Sequence, residues 1–125
     1  MLRITKFADF TIPKRKALGL TKADIARSLG YSKAFYTEIE NGTRYPFVDA
    51  ERLTSLGKLL SLTDSEMDTL RDLAFLARNQ LPPEIFEYIS NTENVIKFLR
   101  VAQNIKLSSE DFEKMITQIE KEAGL

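Results

Sequence analysis

The chain has 125 residues, enough for one domain or a small domain with an appendage, and folding at that size buries roughly two-thirds of the surface an unfolded chain exposes. It contains no cysteine and no histidine, which excludes a disulfide framework, a cysteine or histidine metal site and an imidazole general base. Lys and Arg balance Asp and Glu at 18 each, yet residues 1–62 carry 11 basic against 6 acidic groups and residues 63–125 carry 7 against 12, so a half of net charge +5 precedes one of −5; the first suits phosphate, the second protein or solvent.

The opening stretch, MLRITKFADFTIPKRKAL, has no continuous apolar run of signal-peptide length, and no segment is long and apolar enough to span a bilayer, so a cytoplasmic protein without a membrane partner is expected. Helical spacing there meets Pro13, which lacks a backbone donor and clashes with the preceding turn. Two readings stand: Asp9 or Thr11 caps a short helix to Leu18, or a longer helix from about Lys6 is kinked at Pro13. Phe7, Phe10 and Leu18 read as core.

From Thr21 to Gly42 the pattern TKADIARSLGYSKAFYTEIENG predicts two short helices at a steep angle. Ala23, Ile25, Ala26 and Leu29 recur at helical spacing behind a capping Thr21, and Gly30 can end that helix in the left-handed conformation. Ser32 starts the next helix only two residues later, which puts Tyr36, Ile39 and Glu40 on one face and Lys33, Ala34, Thr37, Glu38 and Asn41 largely on the other. Ala26 is small where the helices must cross, which favours a helix-turn-helix over an ordinary helical hairpin. Tyr31 and Tyr36 have the spacing of a hydrophobic staple, and Asp49 caps a further helix through about Leu60, with Leu53, Leu56, Leu59 and Leu60 inward.

Thr21, Ala26, Gly30, Ser32, Ile39, Glu40, Gly42 and Pro46, preceded by Phe7, Phe10, Arg15, Gly19 and Leu20, resemble the signature of the phage-repressor-like (XRE-type) helix-turn-helix family over about half the chain. The resemblance implies an all-α fold, with a five-helix repressor-like DNA-binding bundle at residues 1–62 and a helical C-terminal extension at 63–125. It further implies a DNA-binding transcriptional regulator, usually a homodimer on two-fold-symmetric sites. Arg15 matches a basic residue that pairs with Glu40 as scaffold, whereas Pro13 departs from the family's first helix.

Within that resemblance, Ser32 to Asn41 is the recognition helix for the major groove. Lys33 can donate to guanine, Ala34 and the Thr37 methyl can meet a thymine methyl, and Glu38 can accept from a cytosine amine. Phe35 either touches a thymine methyl or a sugar, or packs beside Tyr31. Lys22, at a helix N-terminus, and Thr43 and Arg44, in the following loop, are the expected DNA phosphate contacts.

Beyond Leu62 the chain reads as further amphipathic helices. Thr63 and Glu66 form a capping box with a Leu62/Met67 staple, followed by an apolar stripe of Met67, Leu70, Leu73, Ala74 and Ala77. Pro83 suits the first position of the next helix, Asn91 or Thr92 opens another, and Ser108 begins the last with a Leu107/Phe112 staple. These stripes either complete one core or form a dimer interface, for which Phe98, Leu99, Phe112, Met115, Ile116 and Ile119 are the candidates. The LPPEIFEYI segment and the helices after it also resemble C-terminal extensions of XRE-like regulators from Gram-positive mobile elements and prophages.

No phosphate-cradling glycine loop or catalytic constellation is present, so no enzyme, cofactor or metal is expected. The leading expectation is a sequence-specific regulator of double-stranded DNA, of the repressor kind. The alternative is a protein-interaction module, antitoxin-like or a phage accessory protein, for which DNA binding is secondary.

Overall fold

Short-range capping chemistry sets most of the helix boundaries. The computed structural model describes residues 2–125, and the side chains from Thr5 onward; the regular elements among these residues are all α-helices. They are α1 (Leu2–Ala17), α2 (Lys22–Leu29), α3 (Lys33–Glu40), α4 (Ala50–Leu59), α5 (Asp64–Ala77), α6 (Pro83–Asn91), α7 (Val95–Asn104) and α8 (Ser109–Glu122). Reciprocal capping boxes open α2 (Thr21 with Asp24), α5 (Thr63 with Glu66) and α8 (Ser108 with Asp111), each satisfying two backbone donors that the first turn would leave unpaired. Ser32 and Asp49 accept from Phe35 and Arg52 amides at the heads of α3 and α4.

Helix α1 is continuous through Pro13, so the short capped helix does not form and the long helix starts earlier than Lys6. The proline deprives the Asp9 carbonyl of its partner, but both residues face solvent, where water can supply the missing bond. Leu18, expected in the core, is 48% exposed, because α1 ends at Ala17 and the chain turns outward through Gly19. Another departure concerns α7: α6 continues through Asn91, and the N-cap of α7 is Asn94, which adopts φ 70° and makes no side-chain capping bond.

Two compact units are present, Met1–Pro83 and Glu84–Leu125. The boundary expected after residue 62 falls inside the first, because α5 packs along α1 and adds Leu70 and Ala74 to the core. That core is one cluster reaching from Phe7 on α1 through Ile25 and Leu29 on α2, Tyr36 and Ile39 on α3, Leu53 and Leu56 on α4, to α5. Phe47, in the loop before α4, joins it edge-on to Phe7 at 5.9 Å between ring centroids. Gly57 lets α4 and α5 approach: a Cβ there would lie 1.8 Å from Met67 Sδ, far inside van der Waals contact.

In the second unit the burial is different in kind. Ala102 is the buried residue of α6–α8, while Phe86, Tyr88, Ile105 and Ile119 are each more than 60% exposed. Of the expected interface residues, Phe98, Leu99, Ile116 and Ile119 are exposed, and Phe112 and Met115 are partly buried.

Candidate nucleic-acid interface

The turn between α2 and α3 closes through backbone chemistry that only a few residues permit. Gly30 sits at φ 78°, ψ 24°, the left-handed region, and the Tyr31 amide then reaches back to the Ala26 carbonyl at 2.9 Å. Ser32 accepts from the Phe35 amide at 3.1 Å, so α3 begins at once and packs across α2. The angle of α3 is fixed from outside the motif. Arg15 on α1 donates through Nε to Glu40 Oε2 at 2.7 Å, through Nη2 to Glu40 Oε1 at 2.9 Å, and through Nη1 to the Leu20 carbonyl at 2.8 Å.

Both charges of that fork-to-fork pair are buried, and the bond to Glu40 raises the Arg15 pKa despite the opposing effect of burial. Beside it the Tyr36 hydroxyl is fully buried near Glu40 and Thr11; burial, and then the Glu40 charge, push the phenol well above its ordinary value.

The opposite side of α3 carries the residues singled out for DNA. Lys33 and Ala34 are exposed in the first turn and Thr37, one turn on, is partly exposed, so the three share a surface. Phe35 is held against Tyr31, their rings stacked at 4.3 Å and 21°, with the Arg44 guanidinium carbon 4.4 Å from its centroid. The Tyr31 ring thus meets Phe35 and, at 5.7 Å, Phe47, and it packs against the core cluster to which Tyr36 belongs. Glu38 accepts from Arg44 Nε at 2.6 Å.

Thr43 spends both of its donors on one acceptor: its amide and hydroxyl bond the Glu38 carbonyl at 3.0 and 3.1 Å, closing the end of α3. Lys22 stands at the first position of α2, partly exposed, beside amides that the Thr21–Asp24 box only partly satisfies. The Thr21 amide and hydroxyl together draw the Asp24 carboxyl below its usual range.

Two further arginines flank this surface and escape sequence reading. Arg52 donates to the Leu29 carbonyl at 2.9 Å and lies 4.5 Å over the Tyr31 ring; Arg78 donates to the Pro46 carbonyl at 2.9 Å and lies 5.7 Å over Tyr45. Their partners are 23 and 32 residues away in the chain, beyond any local spacing rule. The described residues include no group of three or more His, Cys, Asp or Glu placed to hold a metal ion, and no helix long and apolar enough to cross a membrane.

Residues 14–70 match the family model described as a helix-turn-helix domain. Cyanate hydratase from Aquifex aeolicus (strain VF5) is 27% identical over 93 residues, a stretch that takes in 74% of this chain and 61% of that protein. The chain therefore spans less than two-thirds of the length of that curated relative. No solved structure matches.

Proposed function

We infer that this chain, whose residues 14–70 belong to the helix-turn-helix family, is an XRE-type, sequence-specific regulator of double-stranded DNA, a cytoplasmic repressor that works by occupying its operator. The observation that carries the reading is α3 itself: one face locked to the scaffold through Glu40 and Arg15, the other presenting Lys33, Ala34 and Thr37 outward. A helix so held enters a major groove as a rigid reader. Lys33 takes guanine acceptors and the Ala34 and Thr37 methyls take a thymine methyl. Lys22 and Arg44 hold phosphates, while Thr43 serves the end of α3.

Pairing of two copies follows from the second unit. Large apolar side chains are left exposed on α6–α8, Phe86, Tyr88 and Ile119 among them, and a second copy is the partner that would cover them. Phe98, Leu99, Ile116 and Ile119, which are exposed, and Phe112 and Met115, which are partly buried, are the residues we assign to that interface. Two recognition helices then meet successive grooves about 34 Å apart.

Selection of bound sequences from random duplexes tests the reading. Two-fold-related half-sites are expected, with an affinity whose logarithm falls steeply against log salt, and Lys33→Ala should shift the selected base. Binding that ignores salt and enriches no sequence would favour the protein-interaction module. The name of the Aquifex relative supplies a second reading, cyanate hydration, which loss of added cyanate would reveal.

A further inference from the structure

The carboxylate suited to a cytosine amine and the guanidinium suited to a phosphate are, in the free chain, bonded to each other. Glu38 Oε2 and Arg44 Nε are 2.6 Å apart, with the two side chains 46% and 47% exposed. The loop between them leaves Arg44 little choice of resting place. Gly42 turns it through φ 75°, the Thr43 amide and hydroxyl tie it back to the carbonyl of Glu38 itself, and the guanidinium settles on the Phe35 ring, which is stacked on Tyr31. Held this way, Arg44 brings no net charge to a duplex it approaches.

We propose that Glu38 is a specificity-determining gate on Arg44, in which reading the correct base and grasping the phosphate are one exchange of partners. The proposal rests on the DNA-binding reading above. A half-exposed pair opens easily, so the guanidinium can leave Glu38 for a backbone phosphate once α3 is seated. At a matching site a cytosine amine then replaces it as the donor to Glu38. At any other site Glu38 is left as an unpaired carboxylate among phosphates, and the exchange is unfavourable. Arg44 thus adds to affinity only where Glu38 finds its base, which turns a sequence-blind contact into a discriminating one.

Glu38→Gln in the full chain keeps an acceptor and removes the ion pair. Affinity for arbitrary duplexes should rise about fivefold at low salt, the slope of log affinity against log salt should steepen by about 0.9, one phosphate's worth, and the ratio of specific to non-specific binding should fall. In an Arg44→Ala background the same substitution should leave the salt slope unchanged, because no guanidinium remains to take the phosphate. By NMR of the free protein, the Arg44 Nε–H proton should be shifted downfield by the Glu38 carboxylate in the natural chain, and Glu38→Gln should remove that shift. The gate is overturned if Glu38→Gln leaves non-specific affinity and slope unchanged, or if it steepens the slope equally without Arg44, the signature of simple charge removal. Failure of both chains to bind any duplex, with the Nε–H shift still present in the natural chain, would instead overturn the DNA-binding reading and the gate's role with it.

Discussion

The two units start their helices with the same device and end in opposite states. Thr63 and Glu66 open α5 in the first unit as Ser108 and Asp111 open α8 in the second. In the first, however, the capping Glu66 also accepts from Lys14 of α1 at 2.6 Å, and the helix behind it buries Leu70, Ala74, Phe75 and Ala77. In the second, the hydrogen bonds of the Asp111 carboxylate run to Ser108, and α8 buries no residue. A local cap is therefore enough to begin a helix and not enough to make a core. The first unit closes around its own apolar stripes, whereas the second offers them outward.

The contrast breaks most visibly at its ion pair. Glu40→Ala strands a buried Arg15 and should cost about 3–5 kcal/mol in denaturant unfolding; a loss below about 1 kcal/mol would mean that the pair does not close the first unit. Next in size is a matched pair of truncations. Leu70→Ala, at 0% exposed, should cost about 2–5 kcal/mol, while Ile116→Ala, at 56%, should stay within about 0.5 kcal/mol in dilute solution. Equal costs would erase the distinction between the units.

The smallest effect is a pH dependence. Lys14 and the Thr63 amide hold the Glu66 carboxyl down at about 2, against an ordinary value of 4.5. A depressed carboxyl contributes stability that is complete above 4.5 and is lost as pH falls from there toward 2. Glu66→Gln should flatten that part of the acid limb. The Asp111 carboxyl, lowered by Ser108 alone, has no such link between helices, so Asp111→Asn should change the helicity of α8 without moving the unfolding of the first unit.

What could be read in advance divides along the same line. The heads of α2, α3, α4, α5 and α8 are legible because a cap and the amide that donates to it lie three residues apart, and Gly30 is legible because a left-handed turn has few alternatives. Leu18, by contrast, has the chemistry of a core residue and an exposed position, since its fate depends on where α1 ends. Phe35 reads either as a DNA contact or as a partner for Tyr31, and the stack of the two rings depends on how the turn before α3 folds. Gly57 sits inside a helix, where glycine costs about 1 kcal/mol relative to alanine, and its reason is a methionine ten residues on in another helix. On the candidate interface, the outward position of Lys33 and Ala34 follows from helical spacing; the Glu38–Arg44 bond and the anchored Arg52 and Arg78 do not, because each depends on a loop or helix end folding back.

Arg15 joins three segments: its own helix, the turn carrying Leu20, and the last residue of α3. For α3 to swing free of the bundle, a charged carboxylate would have to abandon its only buried counter-charge among the described residues, so a partial opening confined to this helix is costlier than for an ordinary surface element. Helix α3 is accordingly expected to melt with the whole first unit and not ahead of it. On the proposed reading, its outward residues Lys33 and Ala34 can be exchanged without loosening the frame that holds them, which leaves the choice of sequence free to change while the posture of the helix stays constant.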